Sequence, residues 1–230
     1  MAMIHFALRH CVQHQLPRII VVLPFLTLAE QLQKEYEHIF PEILVDHSQE
    51  NLPEAARELA ARWDSPVIIT TSVRFFESLF SANPQSCRKL HHIANSVVLF
   101  DEAQSLPASL ARPTVAAVNA LCEKYRCTMV FSTATQPDFS ALPKTRWQPT
   151  EIIPEPARLF YQMRRVNAEW CHDVPLAQIA EQMCLEKNAC CIVNLRRHAR
   201  KLFELLQERL GADNSIFLLT TDLCPAHRLA

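Results

Sequence analysis

The chain has 230 residues, of which 49% are hydrophobic and 20% are charged, and 23 Lys and Arg against 24 Asp and Glu give a formal net charge of −1. This composition excludes wholesale disorder, and it excludes a global basic field as the means of holding nucleic acid. The single glycine, Gly211, excludes every glycine-rich phosphate loop within these residues, because each such pattern needs at least two glycines.

In the first part of the chain, short apolar runs alternate with stretches of helical periodicity. Runs that are apolar throughout and separated by helices are typical of a parallel sheet covered on both faces, so the sequence predicts an α/β fold. Thr27-Leu-Ala-Glu30 matches a capping box and predicts a helix start there. The predicted strands are Arg18–Leu23, Val67–Thr70, Val97–Phe100 and Thr128–Phe131, and the predicted helices lie near residues 1–12, 28–39, 52–63, 73–80 and 108–125.

A proline-rich segment, residues 142–156, interrupts this alternation and indicates a boundary between domains 1–156 and 157–230. The alternation then resumes. A helix is expected to begin at Pro175, and another is expected to end at Gly211 as its C-terminal cap. Cys190–Val193 and Ser215–Leu219 are predicted as further strands.

The nine cysteines include no C-x-x-C pair, and neither a signal peptide nor an apolar run of membrane-spanning length is evident. We therefore expect a reduced, cytoplasmic protein with mostly buried thiols and no membrane association. A zinc site formed by Cys171, His172, Cys184 and Cys190 is disfavoured because the paired spacing of zinc ligands is missing.

Polar side chains follow several of the predicted strands, where ligands of parallel sheets bind. Asp101 and Glu102 come directly after Val97–Phe100, and a magnesium ion with a polarised water would explain both carboxylates. An exposed turn with acids at a helix start explains them as well, and the residues alone favour that reading.

Hydroxyl groups end the other strands. Ser132-Thr-Ala-Thr135 follows Thr128–Phe131, and Thr70, Thr71 and Arg74 lie at the end of Val67–Thr70. The Ser132–Thr135 hydroxyls can contact the preceding carboxylates, and the alternative is that they are simple turn formers. Thr70, Thr71 and Arg74, together with backbone N–H groups, can hold nucleic-acid phosphates, and the alternative there is ordinary helix capping.

These segments together resemble a known family. A strand ending in Asp-Glu-Ala-Gln, followed about thirty residues later by Thr-Ala-Thr, resembles motifs II and III of superfamily 2 helicases. Six short segments, in the order that the family has them, are similar to the CRISPR-associated helicase of type I systems. The resemblance extends over nearly the whole chain. The six segments are residues 21–27, 70–80, 100–107, 132–137, 191–199 and 219–228.

The resemblance implies two RecA-like domains that use ATP and Mg²⁺. It implies that Asp101 binds the magnesium, that Glu102 activates the attacking water, and that Gln104, Thr133 and Thr135 couple hydrolysis to movement of the strand. Gln104 stands where related helicases often have histidine, so its coupling role is left open. The resemblance also assigns nucleic-acid contacts to Pro24, Thr27, Thr70, Thr71, Arg74, Thr220, Thr221, His227 and Arg228.

The resemblance also implies what the chain is missing. We expect a first domain without its phosphate-loop strand, the front part of a second domain, and neither a nuclease domain nor the final arginine-bearing motif. Such a fragment is expected to be inactive alone and to bind single-stranded DNA weakly. Its expected partners are the missing N-terminal part of the helicase or a CRISPR surveillance complex. The alternatives are a non-enzymatic module that binds nucleic acid or a partner, and a gene remnant or split-protein piece without separate activity.

Overall fold

The computed structural model describes residues 2–46, 59–106, 108–135, 138–143, 145–211 and 216–223. The chain forms two compact units, Met1–Ile152 and Ile153–Ala230. The division falls inside the proline-rich segment.

The first unit is built on a five-stranded sheet in which every pairing is parallel and the strand order is β2-β3-β1-β4-β5. The fold is therefore α/β with the parallel sheet of a RecA-like helicase domain, as the sequence predicts. The strands are β1 (Arg18–Leu23), β2 (Leu44–Asp46), β3 (Val67–Thr71), β4 (Ser96–Phe100) and β5 (Thr128–Phe131). The α-helices whose bounds the described residues give are α1 (Ala2–His14), α2 (Leu26–Tyr36), α3 (Ser72–Phe80), α4 (Pro84–Cys87), α5 (Leu90–Ile93) and α6 (Ala111–Lys124). Residues 59–62 are helical as well, whereas the start of the helix predicted near 52–63 lies outside the described residues.

Alternate residues of each strand enter cores on opposite faces of the sheet, as the period of two requires. On one face, Val21 and Leu99 pack with Ile4 of α1 and Ala29 of α2. The opposite face has an aromatic core that includes the fully buried Trp63, Phe75 and Phe100, with Phe76 and Phe131 packed against it. Burial of both faces explains why these strands read as continuous apolar runs.

The start of α2 differs from the sequence prediction. The capping box at Thr27 is wrong, because α2 begins at Leu26 and its N-cap is Phe25, whose backbone is extended and whose side chain offers no capping group. Thr27 therefore lies in the first turn. The strand β2 was not predicted, because three residues are too short to show a period.

The second unit is described by itself and contains α7 (Pro156–Gln162), α8 (Leu176–Leu185) and α9 (Arg196–Leu210). Helices α8 and α9 pack through Ala180, Leu202 and Leu206. Gly211 ends α9 with φ +74°, and its N–H donates to the Gln207 carbonyl at 3.0 Å, which confirms the predicted cap.

Two strand predictions in this unit are wrong. Residues 190–193 form no strand, and residues 216–219, the described part of the second run, form none either. An apolar run becomes a strand only where a second backbone lines up to accept its hydrogen bonds, and neither segment has such a neighbour among the described residues. Ile192 is 91% exposed as a result.

The thiols are also more exposed than expected. Of the eight cysteines that the structure describes, only Cys127 is buried, and Cys122, Cys171 and Cys190 are exposed. No group of three potential metal-ligating side chains occurs among the described residues. Within the described ranges, no helix combines the length and the apolar character needed to cross a membrane.

Several residues other than glycine adopt the left-handed backbone region. Trp63 does so with φ 59° while its side chain is fully buried, and Glu102 does so with φ 52°. The remaining described examples are Gln15, Asn95, Arg126, Glu155 and Asp173. The left-handed region is strained for residues with a Cβ atom, and glycine would occupy it without that cost.

A pH dependence follows from His10 of α1. Its Nε2 lies 2.9 Å from the Thr128 hydroxyl, and burial, followed by the neighbouring His14, lowers the pKa of His10 below its ordinary value of 6.5. As the pH falls below 6.5, the unfolded state therefore binds more protons than the folded state. The free energy of unfolding is not reduced by this group above that pH and is lowered by it below. We expect a lower melting temperature at mildly acidic pH, followed by circular dichroism.

His10→Gln should flatten part of that dependence, since burial lowers the pKa of His92 as well. His5→Gln, on an exposed position of the same helix, is the matched control. A melting temperature that rises on acidification, or equal pH profiles for the two variants, would show that His10 has no such role.

Candidate nucleotide and nucleic-acid site

The carboxyl ends of the strands lie in register along one edge of the sheet. The polar segments that follow the strands are therefore neighbours along this edge. Leu23 pairs with Thr71, Val22 with Phe100, and Phe100 with Phe131. Since neighbouring strands lie about 4.8 Å apart, Thr71 and the end of β4 are separated by about 10 Å across β1. A single extended ligand can therefore reach along this edge.

Backbone hydrogen bonds extend the ladder past the strand ends and fix the turn that follows β4. The N–H of Asp101 donates to the Val22 carbonyl at 3.0 Å, and the N–H of Ser132 donates to the Phe100 carbonyl at 2.8 Å. The N–H of Ala103 then donates to the Ser132 carbonyl at 3.1 Å. The acidic turn is thereby tied to the loop after β5 as well as to the sheet.

Side chains make a second connection between these two loops. The Gln104 amide donates to a Glu102 carboxylate oxygen, and the Thr133 hydroxyl donates to the Gln104 side-chain oxygen. Thr133 in turn accepts from the N–H of Thr135 at 3.2 Å. Glu102, Gln104, Thr133 and Thr135 thus form one continuous series of hydrogen bonds that connects the two loops.

The two carboxylates occupy different surroundings. Asp101 is partly buried and one of its carboxylate oxygens accepts from the N–H of Glu102 at 3.1 Å, whereas the Glu102 side chain is exposed. The left-handed backbone of Glu102 holds that side chain at the start of the turn. Strain of this kind concentrates at ligand sites, where the surrounding structure maintains it.

Thr70 and Thr71 differ from the sequence expectation in their exposure. Thr70 is fully buried and its hydroxyl donates to the Asp46 carbonyl at 2.9 Å, which joins β3 to β2. Thr71 is also buried, and its hydroxyl accepts from the N–H of Arg74 at 3.3 Å as the N-cap of α3. Both hydroxyls are engaged within the protein, so the alternative reading of helix capping describes the Thr71 side chain.

Arg74 remains accessible at the same edge. Its guanidinium approaches Glu77 at 3.4 Å, and its side chain is 37% exposed. Its Nε is buried without a hydrogen-bond partner among the described residues. Arg74 thus combines a buried Nε donor that has no partner with a guanidinium end that is partly exposed.

The remaining residues that were predicted to contact nucleic acid lie in the turn after β1 and in the second unit. Pro24 is partly buried and Thr27 is exposed on α2, both at the end of β1. In the second unit, the Thr220 hydroxyl accepts from the N–H of Asp222 at 3.3 Å, and Thr221 is exposed. His227 and Arg228 lie outside the described residues.

A basic cluster in the second unit was assigned no role from the sequence. Arg196 and Arg200 of α9 both contact Asp222. The run of basic residues at 196–201 was a visible signal, but the pairing with Asp222 depends on tertiary structure.

The comparison with family models decides the family. The DEAD/DEAH box helicase model matches residues 1–142, which include the whole sheet and both connected loops. The chain belongs to the DEAD/DEAH box helicase family. A comparison with curated proteins finds no significant match.

Members of the DEAD/DEAH box helicase family typically use ATP and Mg²⁺, and the residues of this chain fit one part of that requirement. Asp101 and Glu102 fit the metal-facing part, because magnesium is commonly held by one or two carboxylates, waters and the phosphates themselves. The phosphate-facing part does not fit, because one glycine cannot form a glycine-rich loop. Asp101 and Glu102 therefore fit the metal-facing part of such a site, and the chain has no residues that fit its glycine-rich part.

Proposed function

We propose that the chain is part of an ATP-dependent DNA helicase or translocase of CRISPR antiviral defence, acting in the cytoplasm, and that its 230 residues hydrolyse no ATP alone. Asp101 would hold the magnesium of MgATP and Glu102 would activate the attacking water. Thr70, Thr71 and Arg74, with the turn from Pro24 to Thr27, would face the nucleic-acid strand. Residues 1–156 and 157–230 would each be part of a RecA-like domain.

One observation carries this proposal: the hydrogen-bonded chain from Glu102 through Gln104 to Thr133. In a motor, the site that senses the nucleotide must be mechanically joined to a second element. Here the hydrogen bonds through Gln104 join the acidic turn to the loop after β5. Gln104 is the connecting residue because it donates to one loop and accepts from the other. The CRISPR role rests on the similarity of the six segments alone.

The nucleic-acid side of the proposal needs the burial of the two threonine hydroxyls to be taken into account. A strand lying along this edge would be held by backbone N–H groups at the start of α3 and by the Arg74 guanidinium, while Thr70 and Thr71 position that backbone. With so few phosphate contacts and a net charge of −1, binding would be weak and steeply salt-dependent.

We expect no ATP hydrolysis above background, with or without single-stranded DNA. Phosphoryl transfer depends on positioning and charge neutralisation, and the residues present neutralise charge on the metal side only. A steady-state phosphate-release assay measures this directly, with Glu102→Gln as the matched variant. DNA-stimulated turnover that disappears in Glu102→Gln would show that the chain is a complete ATPase.

The alternative is a module that binds a nucleic-acid strand without any nucleotide chemistry. The engaged hydroxyls and the accessible Arg74 are compatible with that role. One measurement separates the two functions. The affinity for single-stranded DNA is measured with and without ATP after a phosphate loop has been supplied. An affinity that ATP does not change favours the binding module.

A further inference from the structure

Two histidines of α1 lie one helical turn apart beside the amino end of β5, whereas the acidic turn follows the carboxyl end of β4. His10 and His14 are four residues apart, so their side chains lie on the same face of the helix. Their ring centroids are 4.2 Å apart, and the ring planes are inclined by 39°. Two imidazoles at this spacing on one helix face can bind a single metal ion.

Contacts with two other residues hold the His10 ring in place. Phe6, one turn earlier in α1, stacks on it with ring centroids 5.4 Å apart and ring planes inclined by 21°. The Nε2 atom of His10 lies 2.9 Å from the hydroxyl of Thr128, the first residue of β5. When Nε2–H donates to this oxygen, Nδ1 has a free lone pair for a metal ion. Histidines that bind metals generally have such an outer partner, which sets the tautomer and the ring orientation.

The surroundings of the two rings favour one shared cation. His14 is the last residue of α1, and the C-terminal end of a helix carries a partial negative charge that attracts cations. Burial, followed by the neighbouring His14, lowers the pKa of His10, so its ring is neutral at neutral pH, as metal binding requires. The His14 side chain is exposed, so ions reach the pair from solvent.

We propose that His10 and His14 bind one divalent transition-metal ion of the class that prefers imidazole ligands, such as Zn²⁺ or Ni²⁺, and that Thr128 positions His10 for it. No third side chain of a metal-binding type joins the pair among the residues that the structure describes, so water molecules complete the coordination. The ion cross-links the last turn of α1 and strengthens the attachment of this helix to β5. The site is independent of the nucleotide and nucleic-acid sites proposed above.

The test is isothermal titration calorimetry of the full chain, prepared without a histidine tag, with nickel chloride at neutral pH. Accessible thiols are alkylated beforehand, because several of the nine cysteines are competing ligands. We expect one bound ion, and His14→Gln should lower the affinity at least about tenfold, since one imidazole remains. Its matched control is His5→Gln, at an exposed position of the same helix, which should leave the affinity unchanged. Thr128→Val keeps the side-chain shape and should lower the affinity about tenfold, because His10 loses its outer partner.

Melting followed by circular dichroism gives a second measurement. Nickel should raise the melting temperature of the unchanged chain and of His5→Gln, but not that of His14→Gln. Equal affinities for His14→Gln and His5→Gln, or no nickel binding at all, would overturn the site. If nickel binds before alkylation but not after it, the ligands are thiolates and the assignment to imidazoles is wrong. A loss of affinity in His14→Gln without any loss in Thr128→Val would show an adventitious ion only, held by an exposed pair that Thr128 does not position.

Discussion

Replacement of Lys89 by methionine is expected to lower the free energy of unfolding of the first unit by about 3–5 kcal/mol. Lys89 and Asp46 form an ion pair whose side chains are only 10% and 9% exposed. The Trp63 indole N–H donates to the same carboxylate at 2.7 Å, and the ammonium lies 4.9 Å from the centre of the Trp63 ring. Without the ammonium, Asp46 keeps a buried negative charge that the indole alone does not compensate.

The effect should extend to the edge of the sheet, because Asp46 ends β2 and its carbonyl accepts the Thr70 hydroxyl. Chemical denaturation followed by tryptophan fluorescence and circular dichroism measures the loss. Lys34→Met, the same substitution on an exposed face of α2, is expected to change stability little. The double variant Lys89→Met with Asp46→Asn should recover part of the loss. Equal stabilities for Lys89→Met and Lys34→Met would show that the buried pair contributes nothing.

A separate segment that carries an apolar strand followed by a glycine-rich phosphate loop is expected to raise the melting temperature of this chain and to give it nucleotide binding. At a segment concentration of about one hundred times the dissociation constant, the free energy of unfolding is expected to rise by about 2.7 kcal/mol. The segment is supplied by co-expression, and melting temperature and binding of a fluorescent ATP analogue are measured.

The edge at β5 is where such a strand would pair. Of the two edge strands, β5 adjoins β4 directly, whereas β2 is separated from β4 by β3 and β1. Only at β5 would a loop at the carboxyl end of the added strand lie beside Asp101 and Thr133. Strand β5 is also less buried than β4, with three of its four residues partly exposed. An edge of this kind leaves backbone groups able to pair with another strand.

Two controls separate pairing from nucleotide binding. A segment whose phosphate-loop lysine is replaced by alanine should still raise the melting temperature but should give weaker nucleotide binding. Glu102→Gln should still bind nucleotide with the intact segment. If the chain alone is monomeric, melts cooperatively and shows no shift with either segment, then β5 is a stable edge and the expectation of a missing strand is wrong.

The sequence predicted the first unit well because its signals are local. Val97–Phe100 is apolar at every position, and this pattern identifies a strand buried on both faces without knowledge of its neighbours. Contact between the acidic turn after it and the hydroxyls after β5 was one of two readings of the sequence, since parallel strands end at one edge. That Gln104 connects them was not predictable, because the connection depends on the rotamers of two side chains.

The second unit shows why the same reasoning fails elsewhere. Residues 216–219 have the apolar composition of a strand, yet a ladder requires a partner backbone that composition does not reveal. Thr71 is a related case. Its position at a strand end suggested a ligand contact, but whether a threonine hydroxyl faces outward or caps the next helix depends on the first helical residue, which pattern alone locates only within a few positions.

The left-handed residues have a consequence for how this protein responds to selection. Glycine ordinarily weakens a chain because it adds freedom to the unfolded state, but at Gln15 or Arg126 the relief of a strained backbone opposes that loss. Substitutions to glycine there are therefore a source of added robustness that a protein with one glycine has not used. At Glu102 the same substitution would remove the carboxylate of the acidic turn. A library screened only for heat resistance is thus expected to collect glycine at all three positions, whereas a screen that also requires the Glu102 carboxylate would accept it only at the first two.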